Sequence, residues 1–295
     1  MFHIERTGNG GVEVIKQNCI VLEGEGQELE YLTFPAFEES GLVEHLVTTR
    51  LGGVSTGELS TMNLSFTRGD KDENVLENYR RIGKILGCGL EDMTASHQTH
   101  TVNIRRVTAA DRGKGIKIPR DYENIDGMIT NEQGIALVTY YADCVPLFLL
   151  DPVHRAIGLA HSGWRGTVNR MGEHMVKAME AAFDSKPQEM MAAIGPSICK
   201  ECYEVSEDVA EQFMQQFQGN TDDLCVVEEG KAPGKYQLDL WLANKLILEG
   251  AGIPGSSISV TDICTCHNSD YLFSHRATNG HRGNLGAFLM LRKSS

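Results

Sequence analysis

The sequence lacks long hydrophobic runs and an excess of positive charge. No stretch reaches the length needed to span a bilayer, and the N-terminus lacks the basic start and apolar run of a signal peptide. Lysine and arginine together number 27 against 40 acidic residues, a formal net charge of −13. Such a surface repels nucleic-acid backbones and anionic membranes, so phosphate recognition must rest on a few local arginines. We expect a cytoplasmic protein with no nucleic-acid or membrane partner.

Linkers and internal repeats are also missing. No Pro- or Ser-rich stretch divides the 295 residues, and 41% hydrophobic content is sufficient to bury a large core. The sequence therefore predicts a single domain over residues 1–295. The eight cysteines are too sparse for a disulfide scaffold, so in a reducing compartment they are expected to be buried thiols, ligands or nucleophiles.

Helical and strand patterns alternate along the chain. Helical periodicity predicts helices from Asp72 to a stop at Gly87, after Gly166, after an N-cap at Ser206 and from Asp239. Short apolar runs bounded by turn residues predict buried strands at 135–139, 145–150, 156–160, 190–194 and 258–260. Surface loops are expected at 108–124 and 219–235. The sequence predicts a mixed α and β fold.

Three motifs carry the chemistry that this sequence suggests. They are S-H-Q-T-H around His100, A-D-C-V-P around Cys144 and A-H-S-G-W-R-G around His161. Two imidazoles and a thiolate are a suitable set for a catalytic zinc, which takes three protein ligands and leaves a fourth position open. Each residue alone also fits an ordinary role, as a polar histidine or a core cysteine. Cys144 acting as a nucleophile with His161 as its base remains an alternative.

A second group of cysteines gives a weaker signal. Cys199-x-x-Cys202 and Cys264-x-Cys266 could supply four thiolates to a zinc ion. The second pair has a non-standard spacing, which favours buried thiols instead.

Several further motifs occur in a characteristic order. They are T-R-L-G-G-V-S from Thr49, the stretch ending at Leu64, I-G-P-S-I from Ile194 with Y-E-V from Tyr203, and F-S-H-R from Phe273. With the His100, Cys144 and His161 segments, this series resembles the bacterial YfiH/YlmD family. Its members are laccase-domain proteins related to mammalian FAMIN and regarded as purine nucleoside phosphorylases. The resemblance extends from about residue 49 to residue 295.

The resemblance carries expectations about metal, activity and fold. It implies Zn²⁺ held by His100, Cys144 and His161, phosphorolysis of adenosine, inosine, guanosine and methylthioadenosine, and deamination of adenosine. It implies small-molecule partners, namely purine nucleosides and phosphate, in a monomer or homodimer. The expected fold is α+β, a layered α/β/β/α arrangement around two mixed sheets, similar to the catalytic domain of cytotoxic necrotising factor. The sequence departs from the family pattern at Ser96-His97, before Q-x-H, and at N-G-H-R, which contains Arg282.

Other polar residues are candidates for proton transfer and for phosphate binding. Deamination requires activated water to attack C6 of adenosine, and we nominate Asp143 and His97 to transfer the protons. Phosphorolysis requires a bound phosphate, which suits the planar fork of arginine. The anion-binding residues predicted, with the first two ranked highest, are Arg50, Arg165, Arg276 and Arg282, although surface ion pairing is the usual role of an arginine.

Three other functions compete with this hypothesis. The family's older label is copper phenol oxidase, with Cu²⁺ in the same ligands, but the sequence contains no H-x-H pair of the kind that builds multicopper centres. A metal-independent cysteine hydrolase would use Cys144 and His161. A non-catalytic protein would bind nucleosides without turnover.

Overall fold

The computed structural model describes residues 2–7, 14–22, 28–217 and 226–293. Its helices are α1 Pro35–Glu39, α2 Asp72–Leu86, α3 Trp164–Val168, α4 Met171–Phe183, α5 Glu207–Gln216, α6 Leu240–Gly250 and α7 His275–Thr278. Its strands are β1 Lys16–Val21, β2 Glu28–Thr33, β3 Val43–Thr48, β4 Met93–Ala95, β5 Ile104–Arg106, β6 Gly127–Thr130, β7 Ala136–Tyr141, β8 Val145–Asp151, β9 Ala156–Ser162, β10 Met191–Ile194, β11 Glu204–Ser206, β12 Val227–Glu229, β13 Lys235–Leu238, β14 Ile258–Val260 and β15 Leu285–Leu291.

Two six-stranded mixed sheets form the centre of the molecule. Sheet one has the order β1-β2-β3-β15-β7-β4, and sheet two has the order β14-β10-β8-β9-β6-β5. The pairs β4–β7, β10–β14 and β5–β6 are parallel, whereas the other pairs within these sheets are antiparallel. A smaller sheet of order β11-β13-β12 lies beside them.

Three apolar cores separate four layers. One core packs α2 against the outer face of sheet one, a second fills the space between the sheets, and a third packs sheet two against α4, α5 and α6. The first three residues of strand β7 are all apolar because both of its faces are buried: Leu137 enters the core between the sheets, whereas Ala136 and Val138 face α2. The predicted α/β/β/α layering around two mixed sheets is confirmed by this arrangement.

Most predicted elements are present, with corrections at their ends. Helix α2 spans Asp72–Leu86 and ends at Gly87, whose φ of 67° is the left-handed conformation that glycine adopts readily. Asp239 caps α6 by accepting a hydrogen bond from the backbone of Leu242 at 2.9 Å. Ser206 precedes α5, but its hydroxyl donates to the carboxylate of Asp208 rather than capping a backbone N–H.

Two predicted segments differ from the structure. The helix expected after Gly166 is divided into α3 and α4, because Arg170 between them has a φ of 60° and interrupts the helical path. The loop expected at 219–235 was wrong where β12 and the start of β13 occur, and its residues 219–225 lie outside the described residues. In the described part of the chain, no helix is both long and apolar enough to cross a membrane.

Candidate active site

Two imidazoles and one thiol converge where the two large sheets meet. His100 lies in the segment after β4, Cys144 in the turn between β7 and β8, and His161 near the end of β9. One ligand atom from each lies within 4.8 Å of the others. Antiparallel pairing of β8 with β9 places Pro146 opposite His161, which brings the preceding Cys144 to that imidazole. The predicted convergence of the three motifs is therefore seen in the structure.

A buried carboxylate orients this group. Asp126 lies directly before β6, which pairs with β9, and its Oδ1 is 2.8 Å from Nδ1 of His161. The same carboxylate accepts backbone N–H bonds from Thr99, His100 and Thr101 at 2.9–3.1 Å. One acidic side chain thus fixes both histidine segments. With Nδ1 of His161 directed at Asp126, Nε2 is the ring nitrogen left for a metal or for Cys144.

The charges of the group support one another. Burial opposes ionisation of Cys144, but the positive charge of His161 and hydrogen bonds from both imidazoles lower the pKa of the thiol to about 6. Burial likewise opposes protonation of His161, but the Cys144 thiolate and Asp126 raise its pKa to about 9. The pKa of Asp126 falls to about 2 despite its burial, because His161 and the backbone donors favour the carboxylate. The chain thereby stabilises the thiolate, which is the ligand form of cysteine.

The donor set and the space around it fit a metal with one open position. Two imidazole nitrogens and a thiolate are borderline-soft ligands suited to zinc or copper. Gly163 packs closely against one side of the three ligands. A β-carbon at this position would lie 2.9 Å from Sγ of Cys144 and 3.1 Å from Cδ2 of His100. His161 is buried, whereas His100 is exposed, so the group is accessible from the His100 side.

A cavity of about 340 Å³ adjoins the three ligands. Besides these ligands it is lined by aromatic and basic side chains, among them Phe66, Tyr140, Arg68 and Arg282. It shares Phe66, His97, Gly115 and Arg120 with a wider neighbouring cavity of about 830 Å³. Concave sites of this size with a few convergent polar groups are typical of small-molecule binding.

The segment that carries His97 and His100 forms one wall of the cavity and is hydrogen-bonded to sheet one. The side-chain amide of Gln98 donates to the carbonyl of Tyr140 at 2.8 Å and accepts from its N–H at 2.7 Å. Ser96 continues the pairing of β4 by donating its N–H to the carbonyl of Val138 at 3.0 Å. The Gln98 side chain therefore acts as the next hydrogen-bonding partner of β7.

The two nominated proton-transfer residues are placed differently. His97 lines both cavities, and its Nδ1 accepts the backbone N–H of Asn124 at 3.1 Å, which leaves Nε2 as the protonated nitrogen of a neutral ring. Asp143 is buried, and its two oxygens accept from Thr265 Oγ1 and Arg276 N, each at 2.7 Å. This geometry favours a positioning role for Asp143 beside Cys144.

The four predicted anion-binding arginines separate into two groups. Arg282 lines the cavity, and its buried Nε has no hydrogen-bond partner among the described residues. Burial, followed by repulsion from Arg68, lowers the pKa of Arg282 to about 10. An unpartnered buried donor beside a second cation is suited to an anion.

The other three arginines make contacts away from the cavity lining. Arg50 donates to the carbonyls of Ser60 and Ser269 at 3.1 and 2.7 Å. Arg276 donates to the carbonyls of Cys202 and Glu204 at 3.0 and 2.9 Å. The guanidinium of Arg165 lies 4.3 Å from the ring centroid of Trp164. Of these four arginines, only Arg282 lies in the cavity lining, and the anion-binding role of each stays a prediction.

Sequence reasoning missed Asp126 and Arg68. Asp126 occurs as N-I-D-G just before a strand, a position that draws attention only when the partner strand is known. Arg68 lies in T-R-G-D, which has the composition of an ordinary turn.

The chain is similar to several proteins of known name or structure. Residues 44–292 match the family described as multi-copper polyphenol oxidoreductase laccase. The purine nucleoside phosphorylase YlmD of Bacillus subtilis (strain 168) is 36% identical over 251 residues, covering 84% of this chain and 88% of that protein. Adenosine deaminase RL5, from an unknown prokaryotic organism, is 32% identical over 253 residues, covering 84% of this chain and 94% of that protein. The crystal structure of YlmD from Geobacillus stearothermophilus superimposes with a TM-score of 0.82 and 33% identity, covering 94% of this chain and 100% of that chain.

The chain belongs to this laccase-domain family, which includes YlmD and YfiH. The relatives named above are enzymes by name, and the layered fold is shared with the solved YlmD structure.

Proposed function

We propose that the protein is a zinc-dependent purine nucleoside phosphorylase that also deaminates adenosine. The observation that carries the proposal is that His100, Cys144 and His161 open onto the same cavity that Arg68 and Arg282 line. A metal site with one open position and an anion site thus face one ligand-sized space. The names of the relatives, one a phosphorylase and one an adenosine deaminase, support this choice of reactions.

Phosphate binding is assigned to Arg68 and Arg282. Phosphorolysis brings a phosphate oxygen to C1′ of the ribose while the C1′–N9 bond breaks and the purine leaves. Two guanidinium groups hold the phosphate by charge-assisted hydrogen bonds and orient it toward C1′. The buried Nε of Arg282 gains a partner when an anion is bound.

The purine is assigned to the side of the cavity that carries Phe66, His97 and Tyr140. Aromatic rings offer an apolar face to the base. The Nε2–H of His97 can donate to a purine nitrogen that becomes basic as the glycosidic bond breaks. The proposed substrates are adenosine, inosine, guanosine and methylthioadenosine.

Deamination uses the metal ligands more directly. When bound, zinc would supply a Lewis acid that lowers the pKa of water toward neutrality, which is the activation that attack at C6 of adenosine requires. His100, Cys144 and His161 would hold the ion, while Asp126 fixes the tautomer and orientation of His161. We assign to His97 the transfer of a proton to the departing ammonia.

Product analysis of the zinc-loaded full-length chain with adenosine tests both reactions. We expect adenine, hypoxanthine and ribose 1-phosphate only when phosphate is present, and inosine with or without it. Cys144→Ala should reduce both rates by roughly 100-fold or more, since removing a ligand removes the metal-dependent chemistry. Cys88→Ala, which removes a half-buried thiol packed near α2, is the matched control and should retain both activities. Absence of all these products with the zinc-loaded protein refutes the proposal.

A metal-independent cysteine hydrolase is the second candidate. The lowered pKa of Cys144, the raised pKa of His161 and the carboxylate of Asp126 form a nucleophile, base and orienting acid. A second imidazole on the thiolate, from His100, is unnecessary for that chemistry and favours the metal site. Activity that survives complete metal removal, with a covalent adduct trapped on Cys144, would establish the hydrolase instead.

Copper oxidase activity is tested in the full-length chain loaded with copper instead of zinc. The family description names such oxidases, and the ligand set accepts copper as well as zinc. Oxygen uptake with a phenol that rises in proportion to bound copper, in protein without nucleoside turnover, would favour that function.

A further inference from the structure

A second group of metal-ligating side chains lies outside the site described above. One ligand atom from each of Cys199, Cys202, Cys264 and His267 lies within 4.8 Å of the others. Ligands of a tetrahedral zinc, at about 2.0–2.3 Å from the ion, are separated from one another by about 3.3–3.8 Å. Small side-chain adjustments would therefore bring the four atoms into one coordination sphere.

The topology explains why two distant segments meet here. Strands β10 and β14 are parallel neighbours, with Ile194 opposite Val260. Beyond their ends the pairing continues in a parallel bridge between Ser197 and Cys264. Two loops therefore leave the same edge of sheet two side by side. The first carries Cys199-x-x-Cys202, and the second carries Cys264-x-x-His267.

The surroundings favour ligation over ordinary core packing. Cys199 and Cys264 are 4% and 0% exposed, so the interior of the cluster is shielded from water. The backbone N–H of Cys199 donates to Sγ of Cys264 at 3.3 Å. Such donors stabilise thiolate charge, as in protein metal sites.

The imidazole of His267 lacks a hydrogen bond at one position. Within the part of the chain that the structure describes, its buried Nδ1 has no hydrogen-bond partner, and Oε1 of Glu5 lies 3.9 Å away, beyond hydrogen-bond distance. A buried polar nitrogen without a partner is costly, and coordination is one way to satisfy it. Cys266, which the sequence suggested as the fourth ligand, interacts instead with Cys202 and Ser274.

We propose that Cys199, Cys202, Cys264 and His267 form a second, structural zinc site. Four protein ligands close the coordination sphere, as structural zinc sites require, whereas the His100–Cys144–His161 site leaves a position open. The C-x₂-C and C-x₂-H spacings suit a Cys₃His site. This inference is independent of the proposed enzymatic function.

The site would clamp the two loops that hold Asp143. The carbonyl of Asp143 accepts the backbone N–H of Ile198 at 3.0 Å, from the first loop. Its carboxylate accepts the hydroxyl of Thr265 at 2.7 Å, from the second loop. Because Asp143 precedes Cys144, a metal that ties the loops together also steadies the turn that presents the catalytic-site thiolate.

Metal counting in variants of the full chain tests the proposal. Protein prepared with sufficient zinc under reducing conditions should contain about two zinc ions per chain, one at each cluster. Cys144→Ala and Cys264→Ser should each retain about one, and the double variant close to none. Wild-type protein that holds a single zinc, lost completely in Cys144→Ala, overturns the proposal. Metal-free protein with a Cys199–Cys264 disulfide under the same conditions does so too.

Two variants of the second loop separate ligation from folding. His267→Cys replaces one zinc ligand with another and should retain the second zinc, whereas His267→Ala should lose it. Cys266→Ser is the matched control and should also retain the metal. Cobalt substitution of Cys144→Ala protein should give thiolate-to-cobalt charge-transfer absorption that Cys264→Ser diminishes. Loss of the second metal in Cys266→Ser but not in His267→Ala would contradict the assigned ligand set.

Discussion

Asp126 and His161 are joined through both side chain and main chain. Oδ1 of Asp126 lies 2.8 Å from Nδ1 of His161, and the backbone carbonyl of Asp126 accepts the N–H of His161 at 2.8 Å. The pairing of β6 with β9 therefore aligns the carboxylate with the imidazole without the help of a metal. Orientation of a ligating histidine by a carboxylate raises both its basicity and the precision of its placement.

Asp126→Asn should weaken zinc binding at the His100–Cys144–His161 site by about 10–100-fold. The amide removes the negative charge and directs a donor group toward the N–H groups of Thr99, His100 or Thr101. Competition with a chromophoric chelator measures the affinity. Asp121→Asn, at an exposed carboxylate paired with Lys114, should leave it unchanged. Equal zinc affinities in Asp126→Asn and the wild type would show that Asp126 does not orient His161 for the metal.

Gly163→Ala should damage the site with little loss of fold stability. The added β-carbon would lie 2.9 Å from Sγ of Cys144, closer than real contacts allow, while the φ of Gly163, −72°, suits alanine. We expect lower zinc occupancy and activity, measured beside the unfolding temperature. Gly166→Ala is the control, because its β-carbon would meet neighbours only at 3.5 Å or more. Similar activity in the two variants would show that the site tolerates the methyl group.

Arg282→Ala should raise the KM for phosphate by about 10-fold or more, since a charge-assisted hydrogen bond contributes about 1.5–3 kcal/mol. Arg50→Ala should lower the unfolding temperature without this change, because its guanidinium serves backbone carbonyls and lies 4.9 Å from the ring centroid of Phe273. Phosphate titrations at saturating nucleoside distinguish the two. A raised KM for phosphate in Arg50→Ala but not in Arg282→Ala would instead assign phosphate binding to Arg50.

His45 should make the fold sensitive to mild acid. Burial lowers the pKa of His45 from 6.5 to about 4, and its Nε2 accepts the N–H of Phe34 at 2.8 Å. The unfolded chain therefore binds the proton more readily. The stabilisation of the fold by neutral, buried His45 is complete above pH 6.5 and is lost as the pH falls toward 4. This loss lowers the free energy of unfolding by about 3 kcal/mol at most. Urea unfolding at pH 7 and pH 5 should show a smaller pH-dependent loss in His45→Gln than in wild type.

Local patterns were sufficient to predict much of the fold. The period of Val75, Tyr79, Ile82 and Leu86 predicts α2, because these side chains form one buried stripe. The strand from Ile258 to Val260 was predicted at its observed bounds. The break at Arg170 was not predicted, since a left-handed arginine leaves no compositional signal.

The site was predictable only where a motif itself carries the chemistry. His100, Cys144 and His161 lie in distinctive segments and were found. Asp126 was not, because its role depends on which strand pairs with β9. His267 was not predicted for a similar reason. The sequence pairs Cys264 with the nearer Cys266, and only the loop geometry brings His267 close to the thiols of Cys199, Cys202 and Cys264.

The two hydrogen bonds between Gln98 and Tyr140 bear on how the proposed nucleoside substrate would bind. A recognition surface built on a loop must usually become ordered as the ligand arrives, and that ordering weakens binding. Here an amide side chain continues the hydrogen-bond ladder of β7, so two hydrogen bonds already hold this wall of the cavity against sheet one. If the proposed function holds, discrimination among purines would depend on shape and on the few polar groups facing the cavity, rather than on a closing movement of this wall.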